Sequence, residues 1–198
     1  MSIPQVLHQY ALGPIQGAEL VVSGLMHQTW FVGAEAGEFV LQRLHHKLST
    51  QAILNDYAAV TEHLAAQGQA APRLVPTAAG QRVAVDADGA WWRLTTRVPG
   101  HTRSRVTCTA EAEQGARALG RFHRAVANIE HRFESDHPLH DTAGHLARLQ
   151  AAMGHPRFAS QRHLVADAAG FMSDTLPTLM LPPDLPRRVV HGDPKISN

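Results

Sequence analysis

The last eight residues, His191-Gly192-Asp193-Pro194-Lys195-Ile196-Ser197-Asn198, hold the residue types with the clearest chemical potential. An aspartate and an asparagine stand five positions apart, in a loop that follows the apolar pair Val189-Val190 and a proline-rich connection. Phosphoryl transfer to a hydroxyl needs such a pair. A carboxylate orients and deprotonates the attacking hydroxyl, and an oxygen ligand holds magnesium. A tight loop can present both toward one point. Lys195, two residues beyond the aspartate, can reach the transferring phosphate as a mobile positive charge. His191 would sit behind the loop and hold its backbone by hydrogen bonds. Gly-Asp-Pro alone is ordinary turn chemistry, so the reading depends on the elements that bring this loop into place.

Those elements begin with strands. Glu19 to Val22 reads as a short strand, Ser23-Gly24-Leu25 as a turn, and Thr29 to Val32 and Glu38 to Arg43 as two further strands. The connection from Gly33 to Gly37, with glycine at each end, makes those two a hairpin. A helix follows from about Thr50 to Gln67, capped by Ser49 and stopped by Gly68. Ile53, Tyr57, Val60 and Leu64 recur at helical spacing and are expected to face the sheet. Pro72 to Val75 begins another strand, and Gln81 to Val85 and Ala90 to Arg97 form a hairpin around Asp86-Ala87-Asp88-Gly89.

Val98-Pro99-Gly100 breaks the pattern, and the chain turns helical beyond it. Thr109 is the expected cap of a helix with Glu111 and Glu113 in its first turn. Asp141 is expected to cap a helix through Leu146, Leu149 and Met153, and Pro156 to Leu176 carries one more helical pattern. Pro177, Pro182, Pro183 and Pro186 then break the chain, and Arg187 to Val190 reads as a short strand leading into His191. Strands first and helices second predict an α+β chain of two lobes, 1–97 and 98–198, with a cleft at their junction.

Composition narrows the partners. The chain has 198 residues, 44% hydrophobic and 18% charged, with a formal net charge of +1. Neither nucleic acid nor a membrane is an expected partner, because the basic residues form no stripe and no apolar run is long enough to span a bilayer. A single cysteine, Cys108, permits no internal disulfide or cysteine-based zinc site and fits a reducing cytoplasm. The N-terminus lacks the basic and apolar segments of a secretory signal. Histidine is frequent, at 14, yet no pair stands beside a carboxylate at metalloenzyme spacing.

The closing motif resembles the catalytic loop of the aminoglycoside phosphotransferase and choline kinase superfamily, which reads His-Gly-Asp, four further residues, then Asn. Other segments are similar to the N-acetylhexosamine kinase-like branch: Ser23-Gly24-Leu25-Met26-His27-Gln28-Thr29-Trp30, Phe39-Val40-Leu41-Gln42-Arg43-Leu44, Trp92-Arg93-Leu94 ahead of Pro99-Gly100, and Pro138-Leu139-His140-Asp141-Thr142. The resemblance implies a protein-kinase-like bilobal fold with an antiparallel-sheet N-lobe and a helical C-lobe. It implies ATP and Mg2+ as cofactors and a small-molecule acceptor such as a sugar, amino sugar or aminoglycoside. Asp193 would be the base, Lys195 a phosphate contact, His191 structural and Asn198 a magnesium ligand. Ser23, Gly24, His27, Thr29, Gln42, Arg43, Arg97 and Val98 would line the nucleotide.

Several positions depart from the pattern. The nucleotide-clamping lysine of kinases falls at Gln42, which carries no charge; Arg43 beside it would supply one if strand alternation turns it into the cleft. His27 stands where the branch has asparagine, and no Gly-x-Gly-x-x-Gly is present. The nearest acid to the usual helix glutamate is Asp56, read as a solvated helix-face residue. The family's second magnesium-binding aspartate lies beyond the motif, which implies a C-terminally truncated and inactive chain. Two other readings stand beside the kinase. One is a kinase-like nucleotide-binding module without turnover. The other is a metallophosphatase, for which Asp136-His137 and His140-Asp141 lack the required spacing.

Overall fold

The structure, a computed structural model, describes residues 3–22, 26–135, 141–186 and 188–194. The chain divides into two compact units, Met1–Asp136 with Asp193–Asn198, and His137–Gly192.

The first unit is organised by an antiparallel five-stranded sheet in the order β1-β2-β3-β5-β4. Its strands are β1 (Ile15–Val21), β2 (Gln28–Ala34), β3 (Gly37–Arg43), β4 (Ala84–Val85) and β5 (Trp91–Thr96). Alternation along them separates two faces. Trp30, Val32 and Ala34 of β2, Phe39 and Leu41 of β3, and Trp92 and Leu94 of β5 share one buried face. That face is closed by Val6 and Leu7 of a short helix, α1 (Ile3–Leu7), and by Tyr10 and Leu12 after it. Val6, Val32, Leu41 and Leu94 are fully buried. The Tyr10 hydroxyl donates to the Trp92 carbonyl at 3.0 Å, and burial pushes its pKa up to about 12. Five residues carry no readable periodicity, so α1 gives no sequence signal.

The turn before β5 is built by one carboxylate. Asp86 accepts from the Asp88 and Ala90 amides at 3.0 and 2.9 Å and from Trp92 Nε1 at 2.8 Å. The Trp92 bond, first among these, holds the Asp86 carboxyl below its ordinary pKa despite burial. Gly89 takes φ +78°, as the turn requires. The strands expected at 72–75 and 81–85 are shorter in the structure. Leu74 makes one isolated bridge to Thr95, and β4 has two residues.

Helix α2 (Gln51–Ala66) is capped by Thr50, whose hydroxyl accepts from the Ile53 amide at 3.3 Å, one residue later than the expected Ser49. Ser49 donates to the His45 carbonyl instead. Gly68, at φ +69°, ends the helix as expected. Its buried residues are Leu54, Asp56, Ala58, Thr61 and Leu64, so of the expected face only Leu64 is buried. Asp56 overturns its sequence reading. It is buried and accepts from His131 Nε2, the Glu134 amide and the Ser135 amide and hydroxyl, tying α2 to residues 131–135. Helix α3 (Thr109–Ala125) starts one residue earlier than expected, with Cys108 as N-cap and no side-chain cap. Glu111 in its first turn accepts from the Thr107 amide and hydroxyl at 2.7 and 2.8 Å and so ties the residue before the N-cap to the helix.

The second unit contains α4 (Thr142–Gly154) and α5 (Arg162–Leu179), which pack on each other. Asp141 caps α4, as expected, by accepting from the Gly144 amide at 2.8 Å. Pro177 lies inside α5 rather than ending it; in the last turn it removes a single backbone donor. Residues 188–190 form no strand.

Candidate active site

The sheet face opposite the core carries the polar side chains. The register pairs Thr29 with Gln42 and Gln42 with Arg93, and Phe31 with Val40 and Val40 with Thr95. Alternation turns all of these away from the tryptophan core. All but Thr29 line a cleft of about 1070 Å³, together with Val21, Tyr57 of α2, Thr96 at the end of β5, residues 97–103, and Glu111, Gln114 and Gly115 of α3. Its wall is mixed. Val21, Phe31 and Val40 are apolar, and Gln42, Arg93, Thr95 and Arg97 are polar or charged.

A chain of contacts crosses the floor. Gln42 Nε2 donates to Thr29 Oγ1 at 3.3 Å, and Gln42 Oε1 accepts from Arg93 at 2.6 Å. The Arg93 guanidinium lies 3.9 Å over the Tyr57 ring. Burial holds the Arg93 pKa below its ordinary value, and burial likewise raises that of Tyr57. Arg97 lies 4.0 Å over the Phe31 ring and pairs with Glu38 at 3.1 Å. The edge after β5 is fixed by backbone bonds: Thr96 N donates to the Arg73 carbonyl at 2.9 Å and Arg97 N to the Glu38 carbonyl at 3.0 Å.

Of the residues expected at a nucleotide, Gln42, Arg97 and Val98 line the cleft, and Thr29 reaches it through Gln42. Arg43 does not share their face. It stands opposite Trp92 in the register, 3.7 Å from Asp86 and 6.0 Å over the Trp92 ring, on the core side of the sheet. This is the alternation rule applied to its neighbour: if Gln42 faces the cleft, Arg43 cannot. His27 accepts from the His45 amide through Nδ1 at 3.1 Å, and its pKa is lowered by burial and then by the charge of Arg93. Ser23 and Gly24 lie outside the described residues, as do Lys195 and Asn198. His191 and Asp193 are exposed. Gly192 between them takes φ +82°, a conformation that needs glycine. Asp193 belongs to the unit that holds the sheet.

Arg93 and Tyr57 carry no site signal in the sequence taken by itself. The signal was available only through strand register: Arg93 faces the cleft because it pairs with Gln42. Among the described residues, no group of three histidine, cysteine or acidic side chains could hold a metal ion, and no helix is long and apolar enough to cross a membrane.

The model of the phosphotransferase enzyme family matches residues 17–198. A comparison with curated proteins returns no match. Among solved structures, the chain is similar to amicoumacin kinase hAmiN, solved with AMP-PNP, Ca2+ and Ami, at TM-score 0.63 and 15% identity, covering 91% of this chain and 54% of that one. It is similar to an aminoglycoside phosphotransferase from Alicyclobacillus acidocaldarius subsp. acidocaldarius DSM 446 at TM-score 0.55 and 17% identity, covering 77% and 42%. It is also similar to spectinomycin phosphotransferase APH(9)-Ia, solved with ADP and spectinomycin, at TM-score 0.53 and 11% identity, covering 91% and 58%. These likenesses establish the protein-kinase-like α+β fold. The chain spans about half the length of the structures it matches.

Proposed function

The chain belongs to the phosphotransferase enzyme family, and from that premise we propose that it is an ATP-dependent kinase acting on a hydroxyl of a small molecule. The observation that carries this reading is the cleft on the non-core sheet face. Its residues fit a nucleotide. Val21, Phe31 and Val40 offer apolar surface to a base, Arg93 offers a buried cation to phosphate, and the backbone of 96–98 forms the rim. Asn198 offers an amide oxygen of the hard type that magnesium accepts, with nucleotide phosphates completing its shell. When bound, magnesium-ATP supplies the phosphoryl group with its oxygens partly neutralised.

The protein's own residues divide the remaining work. Asp193 orients the acceptor hydroxyl and takes its proton on a carboxylate oxygen. Lys195 meets the transferring phosphate, and His191 steadies the loop that Gly192 turns. The resemblance of Leu41-Gln42-Arg43 and its neighbours to the N-acetylhexosamine kinase-like branch favours a sugar or amino sugar as acceptor, with an aminoglycoside next. The exposed, unpaired Cys108 suits a reducing cytoplasm.

Calorimetric titration with magnesium-ATP tests the nucleotide half. Binding that ADP competes away is expected, and no binding at millimolar ligand refutes it. Acceptor-dependent ADP release across sugars, amino sugars and aminoglycosides tests the transferase half.

A further inference from the structure

Arg43, Arg93, Arg97 and Arg103 lie on the sheet or at the cleft, and three of these four have acidic partners. Arg97 pairs with Glu38, Arg103 with Glu111, and Arg43 with Asp86. Arg93 differs. It is 9% exposed, and among the described residues it makes no ion pair with a carboxylate. Its protein contacts are the Tyr57 ring and Gln42 Oε1, and its Nε is buried without a hydrogen-bond partner. A buried cation with no anion is strongly unfavourable unless something else compensates it. Stacking on a ring recovers only part of that deficit. The compensation is therefore sought in what enters the cleft that Arg93 lines.

We propose that Arg93 is the phosphate-binding cation of the cleft, doing from β5 what a lysine at position 42 of β3 would otherwise do. The proposal rests on the kinase reading above. The register makes the exchange possible, because Gln42 and Arg93 are direct cross-strand partners on one face. A guanidinium presents donors in a planar fork that matches phosphate oxygens, and that plane needs orienting. Tyr57 stacks on it from one side, and Gln42 Oε1 accepts from one of its N–H groups at 2.6 Å. Gln42 is then a positioning residue for Arg93, which gives a purpose to an uncharged side chain where a charge was expected. The charge also reaches His27, whose pKa is lowered first by burial and then by Arg93.

The test compares ATP with adenosine, which has the base and sugar but no phosphate. Affinities of the 198-residue chain for both are measured for wild type, Arg93→Gln and Arg93→Lys. Arg93→Gln can still donate to Gln42 Oε1 but carries no charge. It is expected to weaken ATP by about 10- to 100-fold, the range of a lost charge-assisted hydrogen bond, with adenosine within about threefold. Arg93→Lys is expected to keep most of the preference for ATP over adenosine. If Arg93→Gln lowers both ligands equally, or neither, the proposal is overturned and Arg93 is a stacked structural arginine. Should Arg93→Gln fail to fold, Arg93→Lys decides: a lost ATP preference with adenosine binding intact would sink a charge-based role. If wild type binds neither ligand, the kinase reading itself fails.

Discussion

Replacing Asp56 should loosen residues 131–135 more than any exposed substitution would. Asp56 accepts from the Ser135 hydroxyl at 2.5 Å, the Glu134 and Ser135 amides at 2.9 Å each, and His131 Nε2 at 2.8 Å. Burial alone would raise its pKa. The bonds from Ser135, Glu134 and His131 outweigh that and bring it from 3.8 down to about 2. At about 1.4 kcal/mol per pH unit, that shift corresponds to roughly 2 kcal/mol of stability at neutral pH. The sign follows from the depressed pKa. The contribution is fully present above the unfolded value and is lost as pH falls from about 4 toward 2. Asp56→Ala also strands two amides and a hydroxyl, so a loss of about 2–4 kcal/mol is expected near pH 7. Urea unfolding of wild type and variant, at about pH 7 and again near the bottom of that window, supplies the measurement. Hydrogen exchange should show the Glu134 and Ser135 amides among the most accelerated. A difference below about 0.5 kcal/mol at pH 7, or one that does not shrink on acidification, would refute the argument.

Other expectations follow from single contacts. In any form of the protein with acceptor-dependent turnover, Asp193→Asn should lower the rate by about 10²–10⁴ and leave nucleotide affinity unchanged, as kinetics and titration would show. Arg43→Ala should leave ATP affinity within about twofold, since Arg43 faces Asp86 and not the cleft, and a larger loss would contradict the observed register. Asp141→Ala should lower thermal stability, by about 1 kcal/mol, because it removes the carboxylate that accepts from the Gly144 amide and caps α4.

The sheet was legible because its strands alternate and its turns are punctuated. Gly33 to Gly37 and Asp86 to Gly89 mark two turns that the structure keeps. Helix ends were legible to within one residue at Thr50 and Cys108, where neighbouring Ser, Thr and Cys compete for the same role. What the sequence hid is what depends on partners distant along the chain. Asp56 reads as a surface acid until His131, Glu134 and Ser135 are brought to it from more than seventy residues away. Arg93 reads as part of a strand until Gln42 is set opposite. Arg43 was offered to the cleft by proximity to Gln42, and the same proximity, under a period of two, removes it.

The division of the chain bears on how variation can be accommodated. The helical unit His137–Gly192 is an insertion between two pieces of the sheet-bearing unit, and the chain returns to the latter at Asp193. Closing a loop costs free energy that grows only logarithmically with its length, about 0.6 kcal/mol per doubling. An insertion of this kind can therefore lengthen, shorten or exchange helices at small entropic expense to the frame it interrupts.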